Sequence, residues 1–162
     1  MIKRFLGKYR GVVTNNLDPE QRGRIQANVP DVLGSGTTGW ALPCAPYAGD
    51  TVGLFLIPPT NADVWIEFER GDPAFPIWSG CFWGAGGPPV SPALAQKKVL
   101  KTDYATITLD DTPGAEGLTL DTSPSQKIKL TASGIEIDNG QGATIKLVGP
   151  TVSINGNAQE VI

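Results

Sequence analysis

The stretch Asp63-Val-Trp-Ile-Glu-Phe-Glu-Arg-Gly-Asp-Pro73 carries the clearest structural pattern in this chain. Apolar residues hold alternate positions at Val64, Ile66 and Phe68, which predicts a β-strand with one buried face. Trp65 is out of phase with that set, so we expect it to pack on the opposite face. The stretch ends in Gly-Asp-Pro, which predicts a tight turn directly after the strand.

Further segments on either side of this stretch also predict short strands that end at turns. They are residues 9–14, 24–29, 51–57 and 76–83. In the second of these, Ile25, Ala27 and Val29 alternate cleanly on one face. Few windows have helical periodicity. A series of short strands with turns between them predicts a small closed β-barrel.

The composition excludes several classes of chemistry. The 162 residues include 20 Gly and 14 Pro, which disfavours long helices, and 40% are hydrophobic, which is enough for a core. There is no histidine, so His-based catalysis and His-ligated metals are excluded. A net charge of −3 disfavours a dedicated nucleic-acid binder. Cys44 and Cys81 are predicted to be small buried side chains rather than a disulfide or zinc ligands.

The composition also changes along the chain. All aromatic residues lie at or before Tyr104, and the run Gly84-Ala-Gly-Gly-Pro-Pro-Val-Ser-Pro92 predicts a linker. We therefore expect a barrel at residues 1–84, a Gly/Pro-rich linker at 85–104 and a second domain at 105–162.

Residues 105–162 repeat one short motif. Pairs of aliphatic residues two positions apart recur, with turn-forming residues between successive pairs. The pairs are Ile107/Leu109, Leu118/Leu120, Ile128/Leu130, Ile135/Ile137, Ile145/Leu147 and Val152/Ile154. This pattern predicts six very short strands that are apolar on one face only.

A single copy of this segment has too little apolar surface to bury. About a dozen aliphatic side chains cannot offset chain ordering, which costs roughly 1–2 kcal/mol per residue. Three copies around a common axis would turn the aliphatic faces inward and pair the strand edges between chains. We therefore predict an intertwined triple-stranded β-helix in a homotrimer, with the twelve aliphatic residues as its core. The alternative is a single-chain β-meander packed on the barrel.

Several motifs of the first segment resemble those of a known family. They are Gly11-Val-Val-Thr-Asn-Asn-Leu-Asp-Pro-Glu-Gln-Arg-Gly-Arg-Ile-Gln-Ala-Asn-Val-Pro30, Trp40-Ala-Leu-Pro-Cys-Ala-Pro-Tyr-Ala-Gly-Asp50, Gly53-Leu-Phe-Leu-Ile-Pro58, residues 63–73 and Pro76-Ile-Trp-Ser-Gly80. As a set, over about residues 7–84, they resemble the OB-fold baseplate spike family. That family comprises phage baseplate assembly protein V and the VgrG spikes of contractile injection systems. The resemblance implies an OB-fold barrel followed by a β-helix, which agrees with the burial argument.

The residues that carry the resemblance have structural explanations. They supply turns, packing positions and strand surfaces of the barrel: Asp18, Pro19, Gly23, Arg24, Trp65, Glu67, Gly71, Asp72 and Pro73. None of them indicates catalysis, and no spacing indicates a metal or cofactor site. We therefore predict a protein that is not an enzyme and has no cofactor.

The resemblance implies a structural, force-bearing role. Three chains would cap the inner tube of a phage tail or contractile injection system, and sheath contraction would drive the β-helix through the target envelope. The implied partners are a separate baseplate hub protein, an inner-tube protein and a PAAR-type tip protein, with no nucleic acid and with membrane contact only by puncture. No signal peptide is evident, so we expect synthesis in the bacterial cytoplasm, assembly into a baseplate particle, and delivery to the extracellular space or target cell.

An alternative function is an OB-fold binding module for single-stranded nucleic acid or an oligosaccharide. In that case Trp40, Trp65, Trp78 and Trp83 would serve as stacking platforms. A carboxylate-based glycosidase is disfavoured, because no pair of acidic residues is singled out by its spacing.

Overall fold

The computed structural model describes residues 3–123, 125–156 and 159–161, the last three by their backbone alone. The chain is almost entirely β-structure, as predicted, and it divides into two compact units, Met1–Gly87 and Pro88–Ile162. The boundary falls within the Gly- and Pro-rich run that predicts the linker.

The first unit is built from short strands, with one brief α-helix, α1 (Pro30–Leu33), and one 3-10 turn, Glu69–Gly71. Its strands are β1 (Tyr9–Asn15), β2 (Gln26–Asn28), β3 (Leu42–Pro43), β4 (Ala48–Gly49), β5 (Val52–Gly53), β6 (Asp63–Phe68) and β7 (Pro76–Cys81). Five of them form one sheet in the order β2-β1-β6-β7-β3, and β4 and β5 form a separate two-stranded sheet.

The five-stranded sheet closes on itself. Isolated bridges pair Ile25 with Ala41 and Asn28 with Thr37, which joins the segment before β3 to the β2 edge. The two ends of the sheet are therefore adjacent, and the predicted barrel is confirmed. Closure leaves fewer unpaired strand edges, which would otherwise be sites for aggregation.

The core of this barrel comes from the alternating positions of the strands. The two predicted apolar sets, Ile25/Ala27/Val29 and Val64/Ile66/Phe68, are all buried, with five of the six fully inaccessible to solvent. They pack with Val13, Ala41 and Trp78 in one cluster. The period-two pattern predicted both faces correctly, because every second side chain of a strand points to the same side.

One predicted strand of the barrel is wrong. Residues 51–57 were expected to form a strand, but only Val52 and Gly53 do so, in the small hairpin with β4. Leu54, Phe55 and Leu56 lie in an irregular segment and are exposed, while Ile57 packs against the core. The run is apolar enough for a strand, but within the described chain only the hairpin partner pairs with it.

The second unit is an eight-stranded antiparallel meander. Its strands are β8 (Lys97–Lys101), β9 (Ala105–Asp110), β10 (Gly117–Thr122), β11 (Lys127–Thr131), β12 (Gly134–Asp138), β13 (Thr144–Val148), β14 (Thr151–Ile154) and β15 (Gln159–Val161). Each strand pairs with the next one along the chain. The six predicted strands are β9 to β14, so the aliphatic pairs located all six.

The predicted linker, residues 85–104, was too long. Strand β8 lies within it and pairs with β9 from Lys97↔Asp110 to Lys101↔Thr106. The sequence Lys97-Lys-Val-Leu-Lys101 lacks an aliphatic pair at i and i+2, because Lys98 stands where the pattern requires an apolar residue. The strand pairs through its backbone, which the side-chain pattern does not report.

Strand pairing in the second unit is within one chain. Strands β9 to β14 each have both neighbours from the same chain, so their edges are not free to pair between chains. The aliphatic faces, by contrast, are not covered within the unit. The intertwined triple-stranded β-helix stays a prediction, and its pairing of strand edges between chains differs from the pairing that strands β9 to β14 have in the single chain.

The two cysteines correct a further prediction. Cys44 and Cys81 are both free and both exposed, not buried. Cys44 directly follows β3, and Cys81 is the last residue of β7.

Candidate functional site

The main candidate site is the aliphatic face of the second unit. The strand register aligns its side chains in two rows that cross the sheet. Row A is Leu100, Ile107, Leu120, Ile128, Ile137, Ile145 and Ile154, and row B is Lys98, Leu109, Leu118, Leu130, Ile135, Leu147 and Val152. All twelve residues predicted as the trimer core thus lie on one face and next to one another.

This face is open to solvent in the single chain. Nine of the twelve predicted core residues are 36–49% exposed. A contiguous exposed apolar patch of this kind is typical of an interaction surface. At the edge of row A, Ile128, Ile137, Ile145 and Ile154 line a depression of about 490 Å³ together with polar side chains of the turns. A neighbouring side chain can enter this depression.

The opposite face is polar and its charges are paired. Lys127 lies between Asp121 and Asp138 on the neighbouring strands, and Glu136 lies between Lys129 and Lys146. The Lys146 ammonium is 2.9 Å from the Glu136 carboxylate, which raises the pKa of that lysine. Opposite charges face each other across the strands, an arrangement that stabilises a solvated sheet surface. The two faces therefore differ in chemistry, with paired charges on one and aliphatic side chains on the other.

In the first unit, Asp18 organises the long turn between β1 and β2. Its carboxylate accepts backbone N–H bonds from Glu20, Arg22 and Arg24 at 2.8–3.3 Å. The Arg24 guanidinium donates to it from Nε at 3.1 Å and from Nη2 at 2.6 Å. The Arg24 side-chain bond, with the backbone donors behind it, holds the pKa of Asp18 well below its usual range, although burial acts in the opposite direction.

The same turn ends at Gly23, which contacts the core. Gly23 has a positive φ of 74°, and its carbonyl accepts a hydrogen bond from the indole N–H of Trp78 at 3.1 Å. A Cβ at this position would lie 3.1 Å from the Phe55 ring. The motif residues Asp18, Pro19, Gly23 and Arg24 are thus brought together as one structural unit, and none of them presents a reactive group.

In the turn after β6, Gly71 is required by a contact as well as by its backbone angle. Gly71 has φ of 77°, and a Cβ there would approach the backbone nitrogen of Phe5 to 3.0 Å. The Phe5 N–H donates to the Gly71 carbonyl at 2.9 Å. The glycine was expected because of the turn itself, whereas the structure adds that the N-terminal segment packs directly on it. Asp72 accepts the N–H of Ala74 at 3.0 Å, which fixes the turn before β7.

Two further motif residues lie on the outer surface of the barrel. Trp65 packs on the face opposite the core, as expected, with its ring 4.7 Å from that of Phe82 and the Arg10 guanidinium 5.8 Å from its centre. The Glu67 carboxylate is 2.9 Å from the Lys8 ammonium. Both residues are occupied by contacts within the barrel.

The tryptophans offer little for a stacking platform. Trp78 is buried, Trp65 is packed by Phe82 and Arg10, and Trp40 lies under the Arg24 guanidinium at 5.6 Å. Trp83 is the exception, with 69% of its surface exposed. Three of the four tryptophans that could serve as stacking platforms are therefore buried or covered by neighbouring side chains.

A second apolar surface lies on the barrel, at a segment whose sequence predicts a strand. The segment Tyr47–Leu56 exposes Tyr47, Val52, Leu54, Phe55 and Leu56, with Phe55 70% exposed. Beneath it is a cleft of about 630 Å³ that also involves Pro43, Gly23 and Trp78. The apolar run at residues 51–57 is the signal in the sequence, and by itself it predicts a strand and not an exposed surface.

The described residues hold no cluster of three or more Cys, Asp or Glu side chains that could bind a metal ion. Within the same residues, no helix has the length and apolar character needed to cross a membrane.

Comparison with known families agrees with this division of the chain. Residues 9–83 match the family model described as the type VI secretion system/phage-baseplate injector OB domain. Residues 97–160 match the model described as the phage baseplate V C-terminal trimerisation domain. A search of curated proteins gave no match.

The two matches are consecutive, do not overlap, and together support a baseplate spike-like family for this chain. They indicate a structural protein of a phage or type VI secretion baseplate, in a family that is generally not enzymatic. The trimerisation domain supports assembly as a homotrimer.

Proposed function

We propose that this protein is the central spike of a contractile injection machine or phage tail, of the type that VgrG proteins represent. Three chains would cap the inner tube with their OB barrels and pack their meander sheets into a β-helical needle that pierces the target envelope. A hub protein, an inner-tube protein and a PAAR-type tip protein would be its partners, and the assembled particle would carry it to the extracellular space or target cell.

The observation that carries this proposal is the pair of uncovered aliphatic rows on one sheet face. Three copies related by a three-fold axis would bury all of these rows against one another and leave the charge-paired faces in water. The resulting needle would be stiff, because every strand is held by backbone hydrogen bonds and all aliphatic layers are packed. The exposed Tyr47–Leu56 segment supports an additional protein partner for the barrel, such as the hub.

The test is the mass in solution by light scattering on a sizing column. The trimer has a mass of about 51 kDa, three times 17.1 kDa. The variant Ile137→Asp places a charge in the centre of row A and should disperse the trimer. Glu136→Gln, one residue away on the polar face, is the matched control and should leave the mass unchanged.

A compact wild-type monomer of 17.1 kDa would contradict the proposal. So would an Ile137→Asp variant with the mass and melting temperature of the wild type. Binding of the monomer to a single-stranded oligonucleotide, with an affinity that decreases as salt increases, would then favour the OB binding module.

A further inference from the structure

The aliphatic face contains one charged position within its rows. In row B, six strands contribute Leu, Ile or Val, whereas β8 contributes Lys98, directly opposite Leu109. Lys98 has the same strand parity as Leu100 of row A, so it points to the face that the trimer would bury. A lysine is rarely placed against an apolar surface unless its charge is paired.

The partner of Lys98 lies on the same face. Asp111 follows Leu109 by two positions, and its N–H donates to the Gln96 carbonyl at 2.9 Å, which continues the β8–β9 ladder by one pair. Lys98 Nζ bonds the Asp111 carboxylate and also donates to the Gln96 carbonyl at 3.4 Å. The two side chains are 53% and 66% exposed in the single chain, so both are accessible to another copy.

The other residues of the aliphatic face do little to fix how the sheets of different copies align. Leu, Ile and Val repeat from strand to strand, and such residues exchange for one another at small cost. Two sheets that slide past each other by one or two strands, each about 4.8 Å apart, would still bring aliphatic layers into contact. A polar position among apolar layers is a known way to fix register, because misalignment leaves its charge buried without a partner.

We propose that Lys98 and Asp111 form a ring of three ion pairs, shared between the copies, that fixes the register of the homotrimer. The inference rests on the trimer proposed above and names the contact that aligns its chains. Around a three-fold axis, each level of the aliphatic face occurs three times, so three ammonium and three carboxylate groups meet in one layer. Each chain contributes one charge of each sign, and the ammonium of one copy reaches the carboxylate of the next only when the three chains are aligned.

A charge-reversal experiment tests whether different copies share these pairs. A Lys98→Asp chain carries two negative charges at this layer, and an Asp111→Lys chain carries two positive charges. Each variant alone would make a trimer with six like charges, so we expect a lower melting temperature than that of the wild type. Refolded together with distinguishable tags, the two variants should form mixed trimers well above the statistical share, measured by native mass spectrometry.

The matched control is the ion pair Lys146–Glu136 on the polar face, 2.9 Å apart. Chains with Lys146→Glu and chains with Glu136→Lys should mix in statistical proportions, because water separates these pairs in different copies. Statistical mixing of the Lys98→Asp and Asp111→Lys chains as well would overturn the register proposal.

A second variant covers the case in which the reversed chains do not refold. In Lys98→Leu/Asp111→Leu the charges are replaced by apolar side chains, and the trimer should melt several degrees higher, because apolar contacts replace an interior ion pair. An unchanged or lower melting temperature would contradict an interior location of the pair. The wild-type mass is measured first, so that a chain that is monomeric from the start counts against the proposed trimer and not against the register contact.

Discussion

At the scale of single residues, the barrel depends on a few side chains that satisfy backbone groups of turns. Asp18 is the clearest case, since its carboxylate accepts three backbone N–H groups and the Arg24 guanidinium while its side chain is only 2% exposed. The sequence pointed to Asp18 as part of an Asp-Pro turn, but the distant partners of that turn, Trp78 in β7 and Phe55 in an irregular segment, lie far along the chain. A motif of this kind reports local geometry and not the contacts around it.

Asp18 should make the barrel sensitive to acid. Its pKa is lower in the folded chain than in the unfolded one, so its charge stabilises the fold above about pH 4, the pKa of an unperturbed Asp, and this contribution is lost as the pH falls below that value. We expect Asp18→Asn to lower the melting temperature at pH 7 and to flatten the decrease between about pH 4 and pH 2. Tryptophan fluorescence during thermal unfolding at each pH measures both effects.

The control for this prediction is Glu20→Gln. Glu20 also contacts the Arg24 guanidinium, at 3.1 Å, but its side chain is exposed, and exposed ion pairs contribute little. An acid profile of Asp18→Asn identical to that of the wild type would show that another carboxylate is responsible.

Gly71 should be intolerant of a side chain for reasons of contact as well as of backbone angle. Gly71→Ala combines a positive φ with an approach of 3.0 Å to the Phe5 nitrogen, so we expect a loss of about 1–3 kcal/mol in the free energy of unfolding. Gly87→Ala has a similar φ of 70° but meets nothing within 4 Å and should cost less, about 1 kcal/mol. Equal losses of unfolding free energy for the two variants in urea titrations would show that the contact between Gly71 and Phe5 adds nothing to the cost.

At the scale of elements, the alternation of apolar residues was a good guide where a strand has one covered face. It located β6 and β2 in the barrel and β9 to β14 in the meander. It missed β8, because Lys98 interrupts the pattern. It also assigned a strand to residues 51–57, which have no partner beyond the hairpin among the described residues. The period of apolar residues indicates which face of a strand is buried. A strand also requires a neighbouring backbone to which it can hydrogen-bond.

Neighbouring residues of β10 should respond very differently to truncation. Leu120 lies in row A and Thr119 on the polar face of the same strand. If the aliphatic face is buried in the trimer, Leu120→Ala should destabilise it by about 2–5 kcal/mol per chain. Thr119→Ala should change the stability by no more than about 0.5 kcal/mol.

Thermal unfolding followed by circular dichroism at one protein concentration compares the two β10 variants. Similar melting temperatures for both would mean that row A remains in water.

At the scale of the whole molecule, the chain joins a unit with its own core to a unit whose apolar residues face outward. The barrel buries nine apolar residues in one cluster, so it has the features of a domain that folds without partners. The meander has its apolar residues in two surface rows, and among its described residues none is as fully buried as those of the barrel. Its stability should therefore depend on association.

Two unfolding transitions with different concentration dependence should result. Separation of a trimer into three chains makes the melting temperature rise with protein concentration, and this should hold for the meander but not for the barrel. All tryptophans lie in the first unit, so their fluorescence reports the barrel, while circular dichroism reports both. A single transition that is independent of concentration by both methods would contradict this division.

The sequence alone determined the strand faces, the two-part division and the need of the second part for a partner, because these follow from residue order, side-chain period and the balance of apolar area against chain entropy. Only the tertiary structure decided which strands pair and that the meander strands pair within one chain. It also decided that Lys98 and Asp111 share the aliphatic face and that the segment Tyr47–Leu56 is exposed. These properties depend on contacts between residues far apart in the chain. The side-chain pattern of one segment does not indicate which other segment lies next to it in the fold.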